Sequence, residues 1–207
     1  RQMCIRDSLG VLRKRTLCAH CVHLSEKDRE IFTNSGASII YNPDSNAKLG
    51  SGVAPISDYL KRGIPLAFGT DGSASNNSLN MLGALNLGTK LQKLTEEKEP
   101  IGAVEALRAA CFGGARALGI DHVGSIEPGM RADFLLVNLN EPQMRPVHDP
   151  VSQLVYAAAG TEVNTTVCEG RVLYHDGKFL TMDANKIYRA AELWARKIRA
   201  KLAEMKE

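Results

Sequence analysis

The chain is 207 residues long, 44% hydrophobic and 24% charged, which is enough apolar material to bury a core as one large domain or two small ones. Its formal net charge of +3 is small and its Lys and Arg are dispersed, which excludes the concentrated basic footprint of a nucleic-acid binder. No apolar run approaches the ~20 residues that cross a bilayer and the first residues carry no apolar signal segment, so a cytoplasmic protein with no membrane partner is expected.

The first half alternates strand and helix. Leu17-Cys18-Ala19 reads as a short strand, and Ser25-Glu26-Lys27-Asp28 resembles a capping box that opens a helix ended by Gly36. Residues 37 to 41 form a second strand, followed by a polar loop, Asn42-Pro43-Asp44-Ser45-Asn46, and a helix near 53 to 62 closed by Gly63. A third strand at 65 to 68 runs into the Gly-rich turn Gly69-Thr70-Asp71-Gly72. Strands this apolar are expected to be covered on both faces. Their alternation with helices implies a parallel sheet, and a (β/α)8 barrel is the leading architecture, with only part of it in this chain. Helices follow at about 79 to 94 and 101 to 118. The pattern then becomes β-rich, with strands near 132 to 137, 163 to 168 and 171 to 174 and a hairpin turn at His175-Asp176-Gly177. A helix from about residue 183 closes the chain, and its stripe Ile187, Ala190, Ala191, Trp194, Ile198 and Leu202 is expected to pack on the protein itself. The expected organisation is therefore α/β: a partial barrel over 9 to 122, a small β-sandwich-type appendage over 123 to 182 and a C-terminal helix over 183 to 207.

Three polar groups stand at the ends of the three successive strands: His20, Asn42 and, after the turn, Asp71. That is where a parallel α/β fold places its chemistry. Taken alone, Asp71 reads as a cap for the helix after the turn, Ser75 as an N-cap hydroxyl for a helix beginning near Asn77, and His20 as a satisfied structural group. Asn42, Ser45 and Asn46 read mainly as loop-building residues. His23, three residues past His20, points away from the pocket. The five cysteines are odd in number and scattered, and Cys18-x-x-Cys21 has no second pair, so buried structural thiols are expected rather than a zinc or redox motif. His122, His148 and His175 serve connections, packing or turns.

The segments Ala19-His20-Cys21-Val22-His23-Leu24, Asn42-Pro43-Asp44-Ser45-Asn46-Ala47-Lys48-Leu49-Gly50-Ser51-Gly52 and Gly69-Thr70-Asp71-Gly72-Ser73-Ala74-Ser75-Asn76-Asn77 together closely resemble the amidohydrolase superfamily. Within it they are most similar to 5-methylthioadenosine/S-adenosylhomocysteine deaminases. Gly124-Ser125-Ile126-Glu127-Pro128-Gly129-Met130-Arg131-Ala132-Asp133 and Arg145-Pro146-Val147-His148-Asp149-Pro150 add to the match, which runs from residue 9 to about 205. The resemblance implies that Asp71 binds a divalent metal, zinc or alternatively iron, and takes a proton from water that the metal acidifies from a pKa of about 15.7 toward about 7. It implies that His20 stands beside the metal and steadies the attacking oxygen, and that Ser75 contacts the heterocycle; the N-cap role for Ser75 weighs equally.

The implied reaction is hydrolytic deamination of a purine nucleoside: water attacks C6 of an adenine ring, an acidic residue protonates the ring nitrogen and ammonia leaves. S-adenosylhomocysteine, 5-methylthioadenosine and 5-deoxyadenosine are the implied substrates. The family's His-x-His after its first strand and its His-x-x-Glu after its fifth are not in this chain. The expectation is accordingly the carboxyl-terminal half of a metallohydrolase that binds metal poorly and is inactive alone, preceded by a non-native leader at 1 to 8 and forming a homo-oligomer in full length. Two alternatives remain: a related triazine or guanine amidohydrolase, and a non-catalytic remnant serving as an interaction module.

Overall fold

Short apolar runs separated by capped helices give a three-stranded parallel sheet with strands β1 (Leu17–Ala19), β2 (Ser38–Tyr41) and β3 (Leu66–Phe68) in that spatial order. Cys18 stands opposite Ile39, and Ile40 opposite Ala67, so the three carboxyl ends lie side by side. The structure, a computed structural model, describes residues 9–95 and 99–205. The segment 1 to 8, expected as a leader, lies outside the described residues.

Helix α1 (Glu26–Ser35) starts at the expected capping box: Ser25 Oγ accepts from the Asp28 amide at 3.2 Å, and Asp28 Oδ2 accepts from the Ser25 amide at 3.0 Å. It ends at Gly36, whose φ of 70° is the left-handed cap that only glycine adopts without strain. An ion-pair network fastens it to α3 (Ile56–Lys61). Asp58 accepts from Arg29 Nη1 and Arg62 Nε, each at 2.9 Å, and Arg62 reaches Glu26 through both terminal nitrogens, at 2.6 and 3.0 Å. Between the sheet and these helices sits a core of fully buried Phe32, Ile39, Tyr41, Ile56, Tyr59 and Ile64. β2 and β3 are covered as expected, whereas Leu17 in β1 is 44% exposed.

The segment expected as a polar loop after β2 is a helix, α2 (Pro43–Lys48). Proline at its first position and Asp44 in its first turn satisfy the rules for helix starts. Helix α4 (Met81–Leu94) is capped by Asn80, whose Oδ1 accepts from the Leu82 and Gly83 amides. The single helix expected over 101 to 118 is broken into α5 (Ala103–Arg108), a π turn (Ala109–Gly113) and α6 (Gly114–Leu118). The break lies where Gly113 passes directly over the Leu66 carbonyl.

The second half forms a separate antiparallel sheet, β4 (Phe134–Val137), β5 (Val163–Cys168), β6 (Arg171–His175) and β7 (Lys178–Phe179), in sequential order. Helix α7 (Pro150–Tyr156), which the sequence did not signal, packs back on α4 and α5, with Val155 fully buried in the main core. Asn86 Nδ2 donates to the Tyr156 carbonyl at 2.8 Å and helps hold it. The C-terminal helix α8 (Ala184–Glu204) departs from expectation: none of its residues is buried, and Ile187, Trp194, Ile198 and Leu202 are about half exposed or more. A 3.6-residue stripe specifies an amphipathic surface, not what covers it.

Glu162 joins the two halves of this region. It is 2% exposed, yet it accepts from Gln143 Nε2 at 2.6 Å, the Gly160 amide at 2.8 Å and the Ala159 amide at 3.0 Å. Burial alone would push its carboxyl up, but these donors outweigh burial and hold it below the usual glutamate range. A lowered folded pKa means that the contribution to stability is full above the unfolded value of about 4.3 and is lost as pH falls through the folded value. Glu162→Gln, which turns an NH2 toward those donors, is expected to cost about 1–3 kcal/mol at pH 7. In melts from pH 7 to 3 the gap from wild type should narrow; a constant gap would contradict this reading.

Candidate active site

The carboxyl ends of β1 and β3 each turn through the left-handed region. His20 has φ 69°, Cys21 φ 48° and Asp71 φ 60°, a conformation that is uncommon for residues other than glycine and that clusters at functional sites. The His20 amide extends the sheet by donating to the Ile40 carbonyl at 2.9 Å, and the Gly69 amide donates to the Tyr41 carbonyl at 2.9 Å. Gly69 is required by crowding rather than by its dihedral angles: a Cβ there would stand 2.5 Å from Asn42 Oδ1 and 2.9 Å from Ile40 Cγ2. Asn42, 3% exposed, thus packs beneath the turn that carries Asp71.

The structure brings His20 and Asp71 together, with His20 Nε2 3.8 Å from Asp71 Oδ2. Their side chains are 41% and 31% exposed, so both can reach a ligand. Neither oxygen of Asp71 is idle: Ser45 Oγ donates to Oδ2 at 2.6 Å and the Gly72 amide donates to Oδ1 at 2.8 Å. Ser45 foremost, then the neighbouring Ser75 hydroxyl and the Gly72 amide hold the Asp71 carboxyl well below its usual value, at about 2, with the His20 imidazole adding a smaller electrostatic share. The hydrogen bond of the Ser75 hydroxyl is to the Gly72 carbonyl, at 3.1 Å, so Ser45 has the more direct hold on the carboxylate.

Neither capping role drawn from the sequence survives. The next helix begins at Met81 and is capped by Asn80, so Asp71 and Ser75 cap nothing. The turn is instead pinned by Asn76, whose Nδ2 donates to the Thr70 carbonyl at 2.9 Å, and by Lys48, whose Nζ reaches the Ala74 carbonyl at 2.9 Å and Asn77 Oδ1 at 2.6 Å. His23 is exposed. Cys21 is buried with its Sγ 3.5 Å from the Cys18 carbonyl.

Sequence reasoning passed over Ser45 and Asn46 as loop-builders. On α2 they sit one turn after Asn42, and His20 Nδ1 lies 2.7 Å from Asn46 Oδ1. The overlooked signal was Pro43, which starts a helix and brings positions 42, 45 and 46 to one face.

Asp71 suits a divalent metal: it is ionised, hard and partly open, and each oxygen retains a lone pair beyond its one hydrogen bond. Among the described residues, however, no group of three His, Cys, Asp or Glu side chains converges on a common point. The residues present therefore fit one edge of a metal site and do not close it. Two open clefts, of about 380 and 570 Å3, lie elsewhere; the first is lined by Pro65, Leu66 and Gly113 at the opposite end of β3. No helix of the described residues is long and apolar enough to cross a membrane.

Residues 5–173 match the amidohydrolase family model. A 5-methylthioadenosine/S-adenosylhomocysteine deaminase from Aquifex aeolicus is 40% identical over 96% of this chain and 46% of its own length. An adenosine deaminase from Xanthomonas campestris, solved with bound zinc, superposes with a TM-score of 0.93 at 34% identity, covering 97% of this chain and 46% of that one. An atrazine chlorohydrolase from Arthrobacter aurescens, complexed with zinc, gives a TM-score of 0.85 at 30% identity over 90% of this chain and 42% of that one. The chain spans about half the length of the curated relatives it matches. With a parallel sheet that sets Asp71 and His20 side by side, and a family match over most of its length, this chain belongs to the amidohydrolase family.

Proposed function

We propose that this chain supplies one side of the active site of a hydrolytic deaminase acting on C6 of adenosine derivatives. The observation that carries the reading is the juxtaposition of Asp71 and His20 at 3.8 Å in a chain 40% identical, over 96% of its length, to a 5-methylthioadenosine/S-adenosylhomocysteine deaminase. Its three parallel strands are then part of a (β/α)8 barrel, the antiparallel sheet is the appended β domain, and the setting is cytoplasmic. The remaining metal donors come from polypeptide outside these 207 residues, so the chain alone is inactive.

A divalent metal, zinc before iron, would be held by Asp71 and would supply the acidification of water that so weak a base requires. Asp71 itself contributes a fixed negative charge and an acceptor for the water proton; Ser45 and the Gly72 amide keep its plane oriented throughout. His20 Nε2 faces the same space and orients the attacking oxygen toward C6. Ser75, one turn beyond Asp71, contacts the heterocycle. The balance is one nucleoside and one water in, one 6-oxo nucleoside and one ammonia out.

Among the solved structures, the higher identity to the adenosine deaminase, 34%, than to the chlorohydrolase, 30%, favours adenosine derivatives over triazines. The test is a comparison of kcat/KM for S-adenosylhomocysteine, 5-methylthioadenosine, 5-deoxyadenosine, guanine and an aminated triazine in the active enzyme. The adenosine derivatives should lead. Preferential turnover of guanine or a triazine would transfer the proposal to that substrate, and no turnover of any would refute it.

A further inference from the structure

We propose that Asn46 is a positioning residue that fixes the tautomer of His20, placing the ring proton on Nδ1 and leaving Nε2 bare toward Asp71. This inference rests on the deaminase reading for its purpose, whereas its spectroscopic test does not.

The structure sets the Asn46 carboxamide oxygen, not its nitrogen, toward the ring, and the two ring forms answer to it differently. His20 Nδ1 and Asn46 Oδ1 are 2.7 Å apart, at the short end of the range for an N–H group donating to a carbonyl oxygen. In that arrangement Nδ1 carries the hydrogen and Nε2 carries the lone pair. The reverse arrangement turns the Asn46 amide over, so that its Nδ2 donates to a bare Nδ1 and Nε2 holds the proton. That proton would then face Asp71 Oδ2 across 3.8 Å, beyond hydrogen-bond distance, while the same oxygen already takes the Ser45 hydroxyl at 2.6 Å. The Nδ1–H form pairs the ring proton; the other leaves it short of any bond to Asp71.

Asn46 is built to hold this contact. It is 1% exposed, its carbonyl accepts the Ser51 amide at 2.9 Å, and its own amide donates to Asn42 within the first turn of α2. Its Nδ2 is buried with no partner among the described residues, so the side chain is kept in the core without full hydrogen bonding. Among the described residues, the one polar contact its side chain makes is the one to His20. The adjacent residue, Ser45, holds Asp71, so one six-residue helix orients both groups. A histidine is set in one tautomer by the hydrogen bond of its other nitrogen, and a bare Nε2 is the form that can accept from a water lying between it and Asp71.

Nitrogen-15 imidazole spectra of the complete protein stripped of metal, recorded at alkaline pH, test this directly. The expected result is a protonated Nδ1 and a bare Nε2. Asn46→Asp, which retains an acceptor oxygen, should preserve that pattern, and Asn46→Leu should shift the population toward Nε2–H. Should Asn46→Leu fail to fold, the wild-type spectrum decides by itself. A protonated Nε2, or an averaged mixture, in the wild-type protein overturns the proposal. In the active enzyme Asn46→Leu should lower kcat about 10- to 100-fold with KM nearly unchanged, as for loss of other groups that orient a ligand-side imidazole; an unchanged kcat also overturns it. A protein that deaminates nothing yet shows a bare Nε2 would refute the reaction and retain the tautomer.

Discussion

Asp71→Asn in the active enzyme is expected to lower kcat/KM by about 10^3-fold or more while leaving the melting temperature nearly where it was. The substitution keeps size and shape, so Ser45 can still donate to an amide oxygen. It removes the negative charge, however, and turns an NH2 toward one of the two donors that now serve the carboxylate. A carboxyl held at about 2 is ionised throughout the working range, and in the proposed reaction it serves through that charge together with the proton it can accept. Loss of a positioned base alone costs about 10^2- to 10^4-fold, and loss of a metal ligand adds to it. Stability should change little because the side chain is 31% exposed and its bonds lie in an open turn. Kinetics and thermal melts on the same preparation check both halves of the prediction. Equal losses of activity and stability would make Asp71 a structural residue.

The largest stability effect belongs to Gly113. Its φ is ordinary, and glycine is needed there because the π turn lies on β3: a Cβ would stand 2.2 Å from the Leu66 carbonyl oxygen, a backbone atom that cannot swing aside. Gly113→Ala must separate the turn from the strand, and overpacking of this kind costs about 3 kcal/mol. For a chain of this length that lowers Tm by roughly 6–12 °C. Gly114 is the internal control. A Cβ there meets nothing within 4 Å, so Gly114→Ala should stabilise by about 0.5–1 kcal/mol through helix propensity alone. Opposite signs at adjacent glycines are the prediction; matching signs would mean that the turn does not sit on Leu66.

The strand ends were readable because their signals are local. Leu17-Cys18-Ala19 is a bare apolar triplet ending in a polar residue, and the Ser25–Asp28 box is written within four positions. The motifs around His20 and Asp71 located both groups, and the fold then placed them together. What stayed hidden depends on tertiary neighbours. Asn42-Pro43-Asp44-Ser45-Asn46 has the composition of a turn, and the packing of α2 against α4 makes it a helix. The break at 109 to 113 arises from the approach of Gly113 to Leu66, which no periodicity encodes. The stripe on α8 was legible as a stripe, but its exposure was not, because a sequence pattern names a face and not its occupant. Ser45 and Asn46 were missed as functional groups for the same reason as α2 itself.

Hydrolysis of S-adenosylhomocysteine in oxygen-18-labelled water, followed by mass spectrometry of the purine product and by ammonia release, tests the central claim most directly. The account predicts one labelled oxygen on the base and one ammonia for each nucleoside consumed, both abolished by Asp71→Asn. Release of free adenine, or ammonia formation that persists in Asp71→Asn, would contradict it.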